Sequence, residues 1–145
     1  MIVHAGNMIS QIKQINSRIF NRILAEKNID AFNGAQGHIL YTLWQKDHIS
    51  LRELADKTGL AATTLTSMAD RMEACGLIVR IPDPNDRRKT LLSLTDQAKN
   101  LQADYNAVSD QMTDIFYAGF SNEEIRQCEC MLERILENLK QHAST

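Results

Sequence analysis

Residues 51–94, LRELADKTGLAATTLTSMADRMEACGLIVRIPDPNDRRKTLLSL, decide the fold of this 145-residue chain. Ser50 precedes them, and with Glu53 it fits a capping box, in which each side chain bonds the other residue's backbone amide. Gly59 follows the segment LRELADKT and is the residue type that most often ends a helix. A short helix is therefore predicted to begin at residue 51.

A second helix is predicted directly after the turn GLA (59–61). Its apolar residues recur three or four positions apart, and Gly76 supplies a stop. These apolar residues are Leu65, Met68, Ala69 and Met72. Thr64, Ser67 and Arg71 share the outward face. The pattern predicts two short helices joined by a tight turn.

The spacing of the apolar residues changes after Gly76. The segments LIVRI (77–81) and KTLLSL (89–94) are short and rich in aliphatic and β-branched residues, and the turn-forming PDPNDRR (82–88) separates them. Both prolines of the chain lie in that connection, where a missing amide donor costs little. A two-stranded β-hairpin is predicted.

Long amphipathic helices flank this unit. Isoleucines three or four positions apart predict a helix over about residues 7–27, and AQGHILYTLWQK (35–46) predicts a shorter one. Thr95 can cap a further helix of about 20 residues that Gly119 closes. A second S-x-x-E pattern at Ser121 opens the last helix.

A helix, a turn, a helix and a hairpin in that order describe a winged helix-turn-helix, whose second helix enters the major groove of DNA. The predicted fold is mainly α, with a two-stranded β-hairpin wing flanked by long N- and C-terminal dimerisation helices. We expect a single domain over residues 1–145, with its core at about 36–95 and dimerisation helices at about 7–27 and 95–142. So small a domain cannot easily cover three long amphipathic helices from within its own chain. A self-contained bundle is the alternative to a dimer.

Composition and charge indicate where the protein is located and which part of the chain can contact nucleic acid. No uninterrupted apolar run approaches a membrane span, and the N-terminus MIVHAGNMIS lacks the basic flank and apolar block of a secretory signal, so a cytoplasmic protein is expected. Three cysteines, an odd number, argue for reduced thiols. Residues 95–145 carry nine acidic and four basic residues, a net charge of −5, which would repel a polyanion. Contacts to nucleic acid are expected earlier in the chain.

The chain resembles the MarR family of bacterial transcription regulators, most specifically in LADKTG, GLIVR and DPNDRRKTLLSLT. The resemblance implies a sequence-specific regulator of double-stranded DNA. It further implies a homodimeric repressor that binds a pseudo-palindromic operator and is released by a small, aromatic or phenolic ligand. In the family the first helix interlaces with the last two helices of a second subunit. A winged-helix module that binds protein instead of DNA is the alternative.

Base contacts are expected on the second helix of the helix-turn-helix. The family often has an arginine where this chain has Ser67, so a bidentate contact to guanine is not expected there. Base selection would then depend on four hydroxyl groups, those of Thr63, Thr64, Thr66 and Ser67. Threonines at a helix start are more often caps than ligands, and a cap is the alternative for Thr63. Arg71 contacts DNA, or else pairs with Asp70, with Glu73 or with another subunit.

The wing sets two aspartates before two arginines. In proteins that resemble this one, an aspartate two residues before the wing arginine pairs with it. This implies that Asp86 aims Arg88 into a minor groove and leaves Arg87 nearer the phosphates. Asp83 is interpreted as a turn former whose side chain bonds local backbone amides. A solvated polar turn without a DNA partner is the alternative.

The resemblance also places a ligand cleft and a dimer interface. The cleft would be lined by Arg18, Phe32, His38, Tyr41 and Trp44. A Tyr and a Trp at helical spacing more often belong to a core, which is the alternative for this set. The dimer interface would contain Ile9, Ile12, Ile19, Ile125, Leu132, Ile135 and Leu139.

No pattern typical of an enzyme is present: the sequence has no nucleophile paired with a base, no phosphate loop and no paired acids. No cofactor is expected, and the four histidines have no spacing that predicts a metal site. Relatives that sense oxidants use a cysteine near the N-terminus, whereas the first cysteine here is Cys75. Thiol sensing is therefore disfavoured.

Overall fold

The computed structural model describes residues 1–143. The chain divides into two compact units, Met1–Ser109 and a second that begins at Asp110. The first unit contains helices α1 (Ala5–Glu26), α2 (Gly34–Gln45), α3 (Leu51–Thr58), α4 (Ala62–Ala74) and α5 (Asp96–Lys99), and strands β1 (Ile49–Ser50), β2 (Ile78–Asp83) and β3 (Asp86–Leu94). Helix α6 (Gln102–Phe116) runs across the boundary, and α7 (Asn122–Ala143) lies in the second unit. The predicted mainly helical winged fold is confirmed.

The helix-turn-helix consists of α3 and α4. Gly59 ends α3 with a φ of 75°, a left-handed conformation that glycine adopts without steric cost. Helix α4 contacts α3 and β2, and it buries Leu65, Ala69 and Met72. Burying a side chain the size of Leu65 or Met72 contributes about 1.5–3 kcal/mol. Packing of this apolar face therefore holds α4 in place and leaves its other face exposed.

The sheet has three strands in the order β1-β3-β2, all antiparallel. Strand β1 was not predicted, because its two residues are too few to express a period of two. Ile49 of β1 pairs with Leu92 of β3, and both side chains are buried. Strand β2 is an edge strand, which accommodates Pro82 with little loss of hydrogen bonding.

The hairpin turn is shorter than predicted. Only Pro84 and Asn85 lie outside the strands, and Asp83 pairs in register with Asp86. The assignment of residues 82–88 to a turn was therefore wrong, because β3 already begins at Asp86. The register shifts between the pairs Asp83–Asp86 and Pro82–Thr90, so Arg87 and Arg88 lie on a bulged part of β3, between its paired positions.

The two predicted capping boxes differ. At Ser50 the box is half formed: the hydroxyl accepts from the Glu53 amide at 3.1 Å, while the Glu53 carboxylate pairs with Lys46 at 2.9 Å. At Ser121 both bonds form, since the hydroxyl accepts from the Glu124 amide at 3.1 Å and the Ser121 amide donates to the Glu124 carboxylate at 2.8 Å. A basic neighbour thus diverts the first carboxylate from its box.

The continuous helix predicted after Thr95 is interrupted. The Thr95 hydroxyl accepts from the Ala98 amide at 3.1 Å and caps α5 as expected, but α5 and α6 are separate helices. The amide of Leu101 bonds the carbonyl of Ala98, three residues back, which is a tighter turn than an α-helix. Asn100 has low helix propensity and favours the break. The helical spacing of apolar residues therefore continues from α5 into α6, although the helix itself is broken between them.

In the second unit, α7 is 22 residues long and buries none of them. The hydroxyl of Tyr117 donates to the Glu129 carboxylate at 2.9 Å. Desolvation and this hydrogen bond together raise the pKa of Tyr117 to about 12. Over residues 1–143, no helix is both long and apolar enough to cross a membrane.

Candidate nucleic-acid interface

The outward face of α4 is polar. Opposite the buried Leu65 and Met72, the hydroxyl residues expected to read bases are all exposed: Thr63, Thr64, Thr66 and Ser67. Helix α4 begins after Ala61, and no side chain caps it. The cap alternative for Thr63 was therefore wrong. Its hydroxyl lies in the first turn of the exposed face.

Two of these hydroxyl groups already have intrahelical partners. The Thr66 hydroxyl donates to the Ala62 carbonyl at 2.8 Å. The Ser67 hydroxyl accepts from a terminal nitrogen of Arg71 at 3.3 Å, and Nε of Arg71 lies 3.4 Å from the Ser67 carbonyl. Arg71 and Ser67 therefore form one polar unit, in which the other terminal nitrogen of Arg71 and the Ser67 O–H remain able to donate.

The carboxylates proposed as partners of Arg71 are taken by a different arginine. Arg80 of β2 donates from one terminal nitrogen to Asp70 at 2.7 Å and from the other to Glu73 at 2.6 Å. The hydrogen bond with Asp70 is the largest cause that raises the pKa of Arg80 above its ordinary value. Pairing of Arg71 with Asp70 or Glu73 is thus wrong within the described chain, since Arg71 bonds Ser67 and both carboxylates pair with Arg80.

The wing presents an arginine held by an aspartate. Nε and a terminal nitrogen of Arg88 donate to the two carboxylate oxygens of Asp86 at 3.2 and 3.4 Å, and the Arg88 amide donates to the same carboxylate at 3.1 Å. These bonds from Arg88 lower the pKa of Asp86. The Arg88 side chain is 91% exposed although it is held at its guanidinium. The pairing implied by the resemblance is present.

The neighbours of this pair behave as expected from turn chemistry. The Asp83 carboxylate accepts from the Asn85 amide at 2.8 Å, which is the local backbone bond of a turn former. Arg87 and Lys89 are exposed, and neither has an ion pair within residues 1–143. Their charges are available to a polyanion.

The residues expected to line a ligand cleft are only partly brought together. Three of them surround the ring of Tyr105, whose centroid lies 6.2 Å from Phe32, 5.8 Å from Tyr41 and 5.3 Å from Trp44. Phe20 adds a fourth ring at 5.8 Å. Burial raises the pKa of the Tyr105 phenol, with a smaller contribution from Tyr41. We call these five residues the aromatic cluster.

The remaining members of that set lie elsewhere. Nε2 of His38 is 3.3 Å from the Thr58 carbonyl, so this imidazole joins α2 to the end of α3. Arg18 is exposed on α1 and has no ion pair among the described residues. The Trp44 indole donates to the Ala98 carbonyl at 3.1 Å. This bond and the burial of Phe32 support the core alternative for part of the set.

The expected dimer residues are exposed or half-buried. On α1, Ile9 and Ile12 are exposed and Ile19 is half-buried, whereas Ile23 of the same stripe is 2% exposed and belongs to the core. On α7, Ile125 is half-buried, and three residues are exposed: Leu132, Ile135 and Leu139. Apolar side chains at helical spacing therefore face outward on both helices.

Three residues whose contacts join separate elements of the fold were not identified from the sequence. Arg80 was not assigned a role, although its position in LIVRI and the acidic pair three residues apart on the preceding helix were visible. Tyr105 was assigned only to an apolar seam. Asp47 was not considered, yet its carboxylate accepts from the amides of Leu94 and His48 at 3.0 and 2.9 Å and ties the end of α2 to β3.

Among residues 1–143, no three His, Cys, Asp or Glu side chains come together in a group that could hold a metal ion. Cys75 and Cys130 are exposed, Cys128 is half-buried, and none of the three forms a disulfide.

Known proteins resemble this chain in sequence and in fold. The model of the MarR family matches residues 32–90. The HTH-type transcriptional regulator MhqR of Bacillus subtilis is 30% identical over 113 residues, which cover 75% of this chain and 75% of that protein. A crystal structure of a MarR mutant from Escherichia coli complexed with operator DNA has a TM-score of 0.79 at 24% identity, over 90% of this chain and 92% of that one. The PcaV transcriptional regulator of Streptomyces coelicolor, in complex with its natural ligand, has a TM-score of 0.80 at 21% identity, over 93% of each chain.

Proposed function

The chain belongs to the MarR family of DNA-binding transcription regulators, and we propose that it acts as a homodimeric repressor whose operator binding is relieved by a small aromatic or phenolic ligand. The proposal treats residues 1–145 as one functional domain, in which residues 36–95 meet the DNA. Its proposed site of action is the cytoplasm.

The observation that carries the DNA-binding role is the Asp86–Arg88 pair on β3. A long exposed arginine side chain ordinarily loses much conformational freedom on binding. Here two hydrogen bonds from the guanidinium to Asp86 restrict the Arg88 side chain before any DNA arrives, and a third bond joins the Arg88 amide to the same carboxylate. An arginine inserted in a narrow minor groove benefits from such restriction. Arg87, exposed beside it, supplies a phosphate contact.

The exposed face of α4 is suited to the major groove. Hydroxyl groups accept from or donate to several bases, so Thr63, Thr64 and Ser67 would give a permissive selection. Thr66, bonded to its own helix, contributes less. Arg71 is the strongest donor of the set, and one of its terminal nitrogens already bonds Ser67.

Assembly as a homodimer is supported by the apolar faces of α1 and α7. Isolated exposed apolar residues are ordinary, but a row at helical spacing is typical of an interface. A second copy of the chain offers the same faces, and a two-fold dimer presents two copies of α4 to a pseudo-palindrome. Burial of Ile9, Ile12 and Ile19 with their counterparts on α7 would remove these rows from water.

A ligand of aromatic character is supported by the aromatic cluster. Tilted rings with centroids 5–6 Å apart can admit a further ring by edge-to-face contact. Tyr41 is 44% exposed and forms the open side of the cluster. A ligand there would shift α4 only if it bound one conformation better than the other. PcaV, of the same fold, was crystallised with its natural ligand.

The test begins with selection of duplexes from a random DNA library by the wild-type protein. We expect an inverted repeat that is bound by two chains. The logarithm of the affinity should fall linearly with the logarithm of the salt concentration. A protein-binding module would select no sequence. Enrichment of a single, non-repeated half-site by a monomer would contradict the dimeric form of the proposal.

The ligand is tested separately with a panel of aromatic acids and phenols. Trp44 is the only tryptophan, so its fluorescence reports binding at the aromatic cluster. We expect at least one compound to change that fluorescence and to weaken binding to the selected duplex. If Arg18 contacts the carboxylate of a ligand, Arg18→Ala should weaken the binding of aromatic acids and leave the binding of neutral phenols unchanged. No effect of the whole panel on either signal would reject a ligand of this class.

A further inference from the structure

Arg80 joins the two parts of the chain that the proposed function assigns to DNA. It lies on β2, opposite Leu92 of β3, and so belongs to the wing sheet. Its guanidinium reaches across to α4 and donates to Asp70 at 2.7 Å and to Glu73 at 2.6 Å. Its side chain is 29% exposed, against 91% for Arg88. Arg80 is thus far more enclosed than Arg88.

The geometry of this contact restricts orientation. Asp70 and Glu73 are three residues apart on α4, and each occupies a different terminal nitrogen of one planar guanidinium. A planar donor shared between two fixed acceptors has few orientations that satisfy both, unlike a lysine ammonium. An isolated exposed ion pair contributes little to stability. A forked pair between two elements instead restricts how those elements are placed.

The acceptors also lie next to the residues that face DNA. Asp70 precedes Arg71 and follows Ser67 by three positions, one helical turn. Asp70 and Glu73 therefore place two negative charges on the helix proposed to enter the major groove. Because Arg80 supplies only one positive charge, neutralisation alone is an incomplete account of why the three groups meet.

We propose that Arg80 is a positioning residue for DNA recognition, which fixes the wing relative to α4 through Asp70 and Glu73 and so sets the reach of Arg88 from the base-reading face. The inference rests on the proposed DNA-binding function and deepens it. Arg80 makes no DNA contact in this account. Its contribution passes through the placement of Arg88.

Removal of both acceptors separates positioning from charge. Asp70→Ala with Glu73→Ala deletes two negative charges near DNA, so charge counting predicts tighter binding, most strongly at low salt. Positioning predicts the opposite sign. The wing is no longer fixed to α4, and affinity for the duplex selected by the wild type should fall roughly tenfold, the scale of coupling among residues in one network.

A matched control removes two carboxylates without touching this contact. Asp30 and Asp56 are exposed in the same unit and have no ion pair among residues 1–143. Asp30→Ala with Asp56→Ala makes the same change in net charge. We expect equal or slightly tighter binding from this control.

Three further measurements exclude a merely structural role. The salt slope of the Asp70→Ala, Glu73→Ala variant should equal that of the wild type, because no phosphate contact is lost. Arg80→Met should weaken binding, and Arg80→Met with Arg88→Ala should bind little worse than Arg88→Ala alone, because coupled residues are not additive. Hydroxyl-radical footprints should lose protection in the minor groove first.

The outcomes are distinguishable. If the wild type selects no duplex, the proposed function fails and this inference fails with it. If the wild type selects a duplex and the Asp70→Ala, Glu73→Ala variant binds it as tightly or more tightly while circular dichroism shows it folded, only the positioning role is overturned. Additive losses from Arg80→Met and Arg88→Ala would overturn it equally.

Discussion

The chain exposes two surfaces of opposite chemistry. One is the apolar stripe of α7, where Leu132, Ile135 and Leu139 face outward at helical spacing. The other is the polar face of α4 together with the wing, where Arg80 and Arg88 are each held by carboxylates. The side chains of the apolar stripe make no hydrogen bonds. The arginines of the polar surface are oriented by hydrogen bonds before any ligand is present.

What lies behind each surface also differs. Helix α4 buries one face within its own unit, whereas none of the 22 residues of α7 is buried. A surface supported by a core can present charges to DNA, whereas the apolar stripe of α7 is the surface that we propose a second copy of the chain covers. Salt should separate the two: contacts to phosphate weaken steeply as salt rises, while burial of apolar area does not depend on counterion release.

The largest expected effect is on the apolar stripe. Ile135→Asp places a charge where a second copy is proposed to bind, and a buried unpaired charge costs far more than the about 1.5–3 kcal/mol that burial of the isoleucine contributes. We expect the dimer to dissociate or the chain to unfold, measured as mass by sedimentation at micromolar concentration.

Cys130→Asp is the control for this substitution. Cys130 is exposed near the middle of α7, and at 100° per residue it lies on the side away from the stripe. The variant adds the same charge and should remain a dimer. A wild-type protein that sediments as a monomer would remove the contrast between the two surfaces.

The second effect concerns the core that supports the polar face. Leu65→Ala deletes most of a fully buried side chain on α4 and should lower the free energy of unfolding by about 2–5 kcal/mol. Urea denaturation measures this loss, which should be the same at every protein concentration. Thr64→Ala, at the exposed neighbouring position, should change the free energy of unfolding by less than about 0.5 kcal/mol. Equal losses from the two substitutions would mean that α4 has no distinct buried face.

The sequence predicted those elements whose signal is local. Apolar period, glycine stops and the S-x-x-E patterns located α1, α3, α4 and α7, and the change of period located the hairpin. The break at Asn100 was missed because the apolar period of α5 continues into α6. Strand β1 was missed because it is defined by its pairing with Leu92 and not by a pattern of its own.

The site was predictable to the same extent. Asp86 and Arg88 are two residues apart, and their pairing was implied from family resemblance and is present. Arg80 finds its acceptors seven and ten residues away on another element. Which arginine of several takes a given carboxylate depends on how helix and strand pack, and this packing is not encoded in spacing. The DNA, ligand and dimer roles of the named residues stay predictions.

The third effect tests the polar surface itself. Arg88→Ala should weaken binding of the selected duplex by about tenfold, because a preorganised contact in the minor groove is lost. Arg87→Ala is the matched control, since it removes the same charge from the adjacent position of β3. It should weaken specific and non-specific DNA alike and reduce the salt slope by roughly one ion. Identical behaviour of the two variants across a salt series would show that the wing acts only as positive charge.

The smallest effect is the most informative, because two physical accounts give it opposite signs. Under charge counting, the carboxylate of Asp86 repels phosphate, so Asp86→Ala should tighten binding, most at low salt. Under the aiming account, the variant frees the Arg88 side chain, which must then be ordered when DNA binds. Affinity should fall several-fold, by no more than it falls in Arg88→Ala. The double variant should be little worse than Arg88→Ala alone, because Asp86 acts through Arg88.

Operator affinity of these variants across a salt series decides between the accounts, with circular dichroism to verify the fold. Asp83→Ala serves as the control, since Asp83 bonds only the backbone amide of Asn85 within the described chain. It removes the same charge from the wing, so charge counting predicts the same tightening for both aspartates. The aiming account predicts a loss for Asp86 alone. Tighter binding by Asp86→Ala at every salt concentration would reduce Asp86 to an ordinary turn residue, and the polar surface would then differ from the apolar one in charge but not in preorganisation.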